Sequence, residues 1–297
     1  MRTLLKLLGI VLGVAALLAI VALATLYLVS ERRIDRRYEV AAEDIALPSD
    51  PGAIERGAHV AILRGCTACH GGDLAGRTFV DDTMLGRVYA PNLTPTGHGG
   101  HMTPADWERA VRHGVGHDGR SLIIMPALEL HGLGDADLGD LIVYVRSLDP
   151  VEQSGPAPRI GPVGRMLLVF DAADIVPAEH IDHRAPHPPA PAVAATPEYG
   201  GYLASSCTGC HKPDFAGGPI PGEKGAVAAN LTMDEATGLG RWSEADFVKT
   251  LRTGMRPDGS ALNPVMPWQI TAQMTDVELS AIWNYLKTLP VLPERTG

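Results

Sequence analysis

Cysteine is scarce, with four residues in a chain of 297. That number excludes a small fold stapled by a dense set of disulfides. Aromatic residues make up only 5%. No glycine triplet period runs through the chain, which excludes collagen, and at 45% hydrophobic residues the sequence is too apolar for intrinsic disorder. Basic charge is short outside the first few dozen positions. Residues 1–37 hold six basic groups (Arg2, Lys6, Arg32, Arg33, Arg36, Arg37) against Glu31 and Asp35, while the remainder holds 19 basic and 32 acidic residues within an overall net charge of −9. An acidic body offers no phosphate-binding surface, so nucleic acid is not expected as a partner.

What is present begins with an apolar run. From Leu7 to Ser30 no residue is charged, and a stretch of about 20 such residues crosses a bilayer as a helix. Residues 1–30 are therefore expected to form a transmembrane anchor that contacts the membrane through residues 7–30, followed by a juxtamembrane linker over 31–53. A secretory signal peptide fits the same stretch, with Arg2 and Lys6 as its basic end and Ala22-Leu23-Ala24 as a cleavage site. The run continues past that site through Leu26, Tyr27, Leu28 and Val29, which favours the uncleaved anchor. Either reading exports the body. Arg32, Arg33, Arg36 and Arg37 argue the other way, because positive residues beside a span favour the cytoplasmic side.

The four cysteines fall into two identical patterns, Cys66-Thr67-Ala68-Cys69-His70 and Cys207-Thr208-Gly209-Cys210-His211. C-x-x-C-H is the attachment pattern of c-type haem. Two thiols on one helical turn reach the porphyrin vinyl groups, and the adjacent imidazole turns under the ring toward iron. A zinc site would have to join pairs 141 residues apart and would leave both histidines without a role. A redox dithiol calls for a βαβ setting, and no alternating strand pattern surrounds either motif.

The surroundings repeat as well. His70 is followed 55 residues later by Met125-Pro126, and His211 by Met266-Pro267 at the same distance. Asn92-Leu93-Thr94 recurs as Asn230-Leu231-Thr232, Ala105-Asp106-Trp107 as Ala245-Asp246-Phe247, and Arg112-His113-Gly114 as Arg252-Thr253-Gly254. Leu138, Leu141, Ile142, Val145 and Leu148 form an apolar stripe repeated by Leu279, Ile282, Trp283, Leu286 and Leu289, the spacing of an amphipathic helix. Thr275 with Glu278 reads as a capping box, and Thr103-Pro104 and Ser243-Glu244 open a middle helix in each copy. The chain is expected to be all-α, with one unit at residues 54–151, a Pro-rich linker at 152–196 and a second unit at 197–292. Within the linker, Pro186 to Pro191 suggests a stiff spacer, and Met166-Leu167-Leu168-Val169-Phe170 is expected to pack across the interface between the units.

His70 and His211 are the expected proximal iron ligands. Met125 and Met266 are the expected opposite ligands, since a thioether is a soft donor and a following proline holds the residue before it extended. Met84, Met102, Met233, Met255 and Met274 have no partner at the repeat offset, and Met102 is the one rival. His98, His101, His113, His117 and His131 lack counterparts and are expected at the surface or in loops. Asn92, Thr94, Asn230 and Thr232 fit either a haem-edge contact or ordinary loop capping. Arg112 and Arg252 fit either a propionate partner or a solvated helix face.

These motifs, with Ala90-Pro91-Asn92-Leu93-Thr94-Pro95, the Arg-x-Gly followed by Asp-Gly and the Met-Pro before a closing helix, resemble membrane-associated two-haem c-type cytochromes of bacteria. Such proteins are built from class-I-like cytochrome c domains, and the runs are similar to cytochrome subunits of periplasmic alcohol and aldehyde dehydrogenases. The resemblance covers residues 54–151 and 197–291. It implies a transmembrane helix followed by two tandem cytochrome c domains. It also implies two covalently bound haem c groups, held by Cys66, Cys69, Cys207 and Cys210, with iron ligated by His70, Met125, His211 and Met266. Those dehydrogenase subunits often carry three haems, and this chain has two motifs. Haem assembly outside the cytoplasm implies a single-pass protein of the bacterial inner membrane with its haem domains in the periplasm.

The function that follows is electron transfer, relaying single electrons between a dehydrogenase or quinol-oxidising complex and a terminal oxidase or soluble cytochrome. No catalytic side chain is expected. The alternative is a haem enzyme, either a di-haem peroxidase or a thiosulfate-oxidising cytochrome. A peroxidase needs an open iron position where both units here offer Met, and a cysteine ligand would need a thiol not consumed by attachment.

Overall fold

The computed structural model describes residues 2–187, 189–220 and 225–295. It opens with α1 (Arg2–Ile34), a helix whose most apolar 18-residue stretch has a mean hydropathy of 2.9 and whose side chains are exposed along nearly its whole length. At 1.5 Å per residue its 33 residues run about 50 Å, against roughly 30 Å of bilayer hydrocarbon. Its far end is docked. Arg33 pairs with Glu179 and Asp171 and donates to the Leu168 carbonyl, and Arg165 lies 2.7 Å from Glu31 and stacks over Tyr27.

The first unit comprises α2 (Ala53–Leu63), α3 (Cys66–His70), β1 (Arg77–Asp82), β2 (Gly86–Ala90), α4 (Pro104–His113), α5 (Ala127–Leu130) and α6 (Asp135–Ser147). In the connection follow β3 (Arg159–Ile160) and α7 (Pro162–Val169). The second unit repeats the order with α8 (Pro197–Ala204), α9 (Thr208–His211), β4 (Gly218–Pro219), β5 (Val227–Ala228), α10 (Glu244–Thr253), α11 (Trp268–Thr271) and α12 (Asp276–Leu286). The helix starts are where the sequence places them. Thr103 with Asp106, Ser243 with Asp246 and Thr275 with Glu278 each form a complete capping box, and Gly114 and Gly254 end α4 and α10 in the left-handed region.

The expected stripes make the two cores. Leu138, Leu141, Ile142 and Val145 are buried in the first, with Trp107 and Val111 of α4; Leu279, Ile282, Trp283 and Leu286 are buried in the second, with Phe247 of α10. In each unit the opening helix lies on the closing one, α2 on α6 and α8 on α12. A glycine sits at each crossing. A Cβ on Gly57 would collide with the Asp140 carbonyl and one on Gly200 with the Ala281 carbonyl. Gly57→Ala and Gly200→Ala are each expected to destabilise the protein by about 1–3 kcal/mol, as overpacking does. Urea unfolding of either variant with an unchanged midpoint would contradict this close approach.

The all-α expectation describes the framework but misses two small antiparallel sheets, β1-β2-β3 and β4-β5. β1 carries little apolar alternation, because five of its six positions are exposed. Its backbone pairing with β2, which buries Val88 and Ala90, holds it in place.

The connection over 152–196 is not a free spacer. β3 pairs with β2 as a third strand, and α7 packs on α1. The apolar run 166–170 does not bridge the units as expected. Leu168 buries with Ile175, Val176 and Ile34 against the first unit, while Met166 and Phe170 are 46% and 71% exposed. Only one face of a short helix, positions three or four apart such as Gly164 and Leu168, can be buried against one neighbour, and α1 supplies that neighbour. Pro188, within the expected stiff stretch, lies outside the described residues. The 31–53 segment is likewise laid on the first unit, with Ile45 in its core and Tyr38 N–H donating to the Gly119 carbonyl.

The units touch directly. Leu63 joins the second core and Tyr202 packs on the first, its hydroxyl donating to Asp137. His59 Nε2 lies 2.8 Å from Glu278 Oε1, joining α2 to α12. The hydrogen bond to Glu278 raises the His59 pKa above 6.5. Burial alone would lift Glu278, but hydrogen bonds from His59 and the Thr275 N–H outweigh it, and its carboxyl titrates below 4.5. The histidine's contribution is complete below pH 6.5 and fades as pH rises through its raised pKa, while the carboxylate's is present above pH 4.5 and fades on acidification. The melting-temperature difference between the protein and Glu278→Gln, which keeps the helix cap, is therefore expected to be largest between pH 4.5 and 6.5. A difference that grows toward alkaline pH would contradict it.

Candidate functional site

The first C-x-x-C-H motif sits on the single turn α3 and the second on α9 with Cys207 as its N-cap, each following the opening helix of its unit. One turn brings both cysteines and the histidine to one side. In the first unit Cys69, His70 and Met125 line a cleft of about 930 Å³, and the same three residues line, together with Cys66, a smaller hollow of about 40 Å³. In the second unit Cys207, Cys210, His211 and Met266 line a cleft of about 390 Å³. Both fall in the size range of cofactor sites, ~300–1,000 Å³. Leu93, Trp107 and Val111 wall both the cleft and the hollow of the first unit, with Leu74, Leu130 and Val145 closing the hollow, and Phe215, Leu231, Phe247, Ile282 and Leu286 wall the second cleft.

The histidines are held alike. His70 Nδ1 donates to the Pro91 carbonyl and His211 Nδ1 to the Ala229 carbonyl, each at 2.8 Å. That bond fixes the tautomer and leaves each Nε2 with a lone pair. Burial lowers both imidazole pKa values, so both rings stay neutral. Burial also pushes the Cys66 thiol up to about 12 and the Cys207 thiol up to about 11. Thiols of that kind stay protonated at neutral pH and are poor redox dithiols.

The family model described as cytochrome c matches residues 200–290, and the model for subunit III of cbb3-type cytochrome c oxidase matches residues 52–145. The chain carries cytochrome c domains. It is also homologous to cytochrome c subunits of quinone alcohol dehydrogenases. It is 34% identical over 288 residues to the alcohol dehydrogenase (quinone) cytochrome c subunit of Gluconacetobacter polyoxogenes, an alignment covering 84% of this chain and 58% of that protein. The corresponding subunit of Gluconobacter oxydans is 31% identical, with 84% and 57% covered, and the fructose dehydrogenase cytochrome subunit of Gluconobacter japonicus 27%, with 82% and 54% covered. The chain thus spans little more than half the length of the curated relatives it matches.

Cytochrome c domains imply covalently bound haem c, and the donor sets here fit it. Each cleft brings together two thiols, a neutral imidazole with one nitrogen oriented by a carbonyl, and a thioether, inside apolar walls. Met102 also lines the first cleft and Met274 the second, so each has two methionines within it. Met84 and Met255 are 51% and 40% exposed and face neither cleft.

The paired polar residues of this cytochrome act on loops. Asn92 Oδ1 accepts from the Thr94 N–H and hydroxyl while Nδ2 donates to the Val151 and Gln153 carbonyls; Asn230 repeats this with Thr232, Leu292 and Thr237. The turn so held carries the carbonyls of Pro91 and Ala229 that orient the histidines. Those two carbonyls were not legible in the sequence, although the repeated Asn-Leu-Thr marked the place. Arg112 and Arg252 line neither cleft; Arg112 is no solvated-face residue, while the Arg252 side chain stays 30% exposed. Arg112 is fully buried, donating to the Leu133 carbonyl and Asp135, and Arg252 donates to the Ala272 carbonyl and Asp276. Both tie the middle helix to the start of the closing one. His98, His101 and His117 are exposed and rim the first cleft, but His113 is buried, contrary to the surface expectation.

Arg64 is the residue that sequence reasoning missed. It is 7% exposed, lies over the Tyr202 ring at 4.4 Å, and donates to the Tyr202 carbonyl and the Ser205 and Ser206 hydroxyls. Two residues before Cys66, it thus holds the segment immediately before Cys207. A lone arginine in a Gly-containing turn carries no sequence signal for such a contact. Arg64→Ala is expected to cost about 2 kcal/mol, since it removes hydrogen bonds to a charged group; chemical unfolding of the full chain checks it.

Proposed function

We propose that this cytochrome is a di-haem electron carrier with cytochrome c domains at 54–151 and 197–292. Cys66 and Cys69 tether one haem and Cys207 and Cys210 the other. His70 with Met125, and His211 with Met266, would hold the two irons. Haem c supplies one-electron chemistry at its iron when bound. The chain's own residues do the rest. The Pro91 and Ala229 carbonyls orient the imidazoles, the apolar walls keep water from the clefts, and Arg64 holds the two attachment segments together. The Met125 and Met266 thioethers would raise the potential of a haem held there.

The observation that carries this reading is the matched pair of clefts, each setting a C-x-x-C-H turn and a Met-Pro 55 residues later on one cavity. The names of the relatives support a partner dehydrogenase as electron source. A terminal oxidase or soluble cytochrome would take the electrons on. The docking of Arg33 and Arg37 onto the body supports an exported orientation, because these arginines are engaged with protein and weigh less as a cytoplasmic signal. The haem domains accordingly sit at the periplasmic face of the inner membrane, with α1 as the single span. Reductive titration of the purified full chain tests the reading. Two electrons taken up per polypeptide are expected; one or none contradicts it.

A further inference from the structure

Three histidines from separate parts of the chain meet beside α4, the one such group among the described residues. His113 ends α4, His131 follows α5, and His187 lies in the connection. One nitrogen of each lies within 4.8 Å of those of the other two. Glu108, five residues before His113, reaches the same point, its Oε1 3.1 Å from His113 Nε2 and 3.5 Å from His187 Nε2. The side chains of Glu108, His113 and His187 are only 1%, 3% and 10% exposed.

The hydrogen-bond partners decide where the protons sit. His131 Nδ1 faces the Arg112 carbonyl at 2.9 Å, His187 Nδ1 the His131 carbonyl at 3.0 Å, and His183 Nε2 the Ala178 carbonyl at 3.1 Å. A carbonyl only accepts, so each of those nitrogens carries the hydrogen. Neutral His183 then accepts through Nδ1, which is 3.1 Å from His113 Nδ1, so His113 donates there. The Nε2 atoms of His113, His131 and His187 are left as bare lone pairs, and two of them face a carboxylate oxygen. A proton on His113 would satisfy one of these contacts. A divalent ion satisfies all of them.

We propose that His113, His131, His187 and Glu108 bind a divalent metal ion of the zinc type, through three imidazole Nε2 atoms and the Glu108 carboxylate. Imidazole and carboxylate are zinc donors, and metal-bound histidines commonly give their other N–H to a backbone carbonyl, as His131 and His187 do here. Ligands of a tetrahedral zinc lie about 3.3 Å apart. The Glu108 contacts already match, and the widest spacing, 4.8 Å, closes by a ring movement of about 1.5 Å. Glu108 Oε2 is buried without a hydrogen-bond partner. The one nearby cation is Arg112, whose Nη1 lies 3.9 Å from Glu108 Oε1 and whose Nη2 is held by Asp135 at 2.6 Å. Two carboxylates against one guanidinium leave the site negative. The ion would fasten the connection to α4, next to Tyr38, whose ring packs edge-on against His183 at 5.5 Å.

The test uses the full-length haem-loaded protein in detergent, stripped with chelator, incubated with Zn²⁺ and dialysed against zinc-free buffer. One zinc per chain and a raised melting temperature are expected, with zinc counted separately from haem iron. His187→Ala and His131→Ala, at partly exposed positions, are expected to lose the zinc. His183→Ala is expected to weaken binding by about 10- to 100-fold, because it removes the group that orients His113. Retention of no zinc by the unaltered protein overturns the proposal. So does zinc that survives both His187→Ala and His131→Ala, since it would then sit at other histidines such as those rimming the first cleft.

Discussion

Replacing Met125 and Met266 together by alanine is expected to abolish the weak red-end absorption band that methionine ligation gives ferric haem. It should also lower both midpoint potentials. Axial ligands set haem potentials over ~0.8 V, so a fall on the order of 100 mV or more per haem is expected. The two methionines occupy matched places on matched clefts, each followed by a proline that ends the approach to the ring. In the first unit the approach is further constrained. Ile124 has a φ of +59°, a conformation β-branched residues avoid, and its N–H donates to the Ile175 carbonyl of the connection. A position held against its own preference fixes the direction of the next side chain. Met102 and Met274 line the same clefts without that repeat, so Met102→Ala and Met274→Ala are expected to leave the band in place. Persistence of the full band in Met125→Ala, Met266→Ala would contradict the ligand assignment.

The second large effect concerns the core. Cys207→Ala, Cys210→Ala is expected to remove one of the two covalent haems and with it the fixed packing of the second unit. That unit encloses about 390 Å³ between Phe215, Phe247, Ile282 and Leu286. Without a filling group those apolar walls lose the surface they pack on and meet water instead. Aromatic residues at 5% of the chain leave few side chains to collapse into the space. The variant should hold one haem per chain and lose near-ultraviolet circular dichroism from Trp242, Trp268 and Trp283. A variant with two covalent haems, or with unchanged tertiary signals, would contradict this account of the core.

The helical framework and both donor sets were legible because they rest on short-range chemistry. Capping boxes join a residue to one three positions away, a helix stripe repeats every turn, and C-x-x-C-H fits on one turn. The internal repeat then singled out Met125 and Met266, both of which the fold sets on the clefts. What was not legible rests on contacts between distant segments. β1 is held by pairing rather than by its own alternation. Leu168 is buried because the end of α1 lies beside it. Arg112 reads as a helix-surface residue until the turn at Leu133 is seen to cover it. Arg64 and the cluster around Glu108 depend on residues more than fifty positions away. Sequence periodicity carries no trace of such meetings.

The most direct measurement is the intact mass of the purified full chain in acid, with acidified acetone used to extract any pigment not bonded to protein. Two covalent haem adducts per polypeptide and a colourless extract are predicted. A mass without adducts, or pigment that leaves with the solvent, would contradict the account.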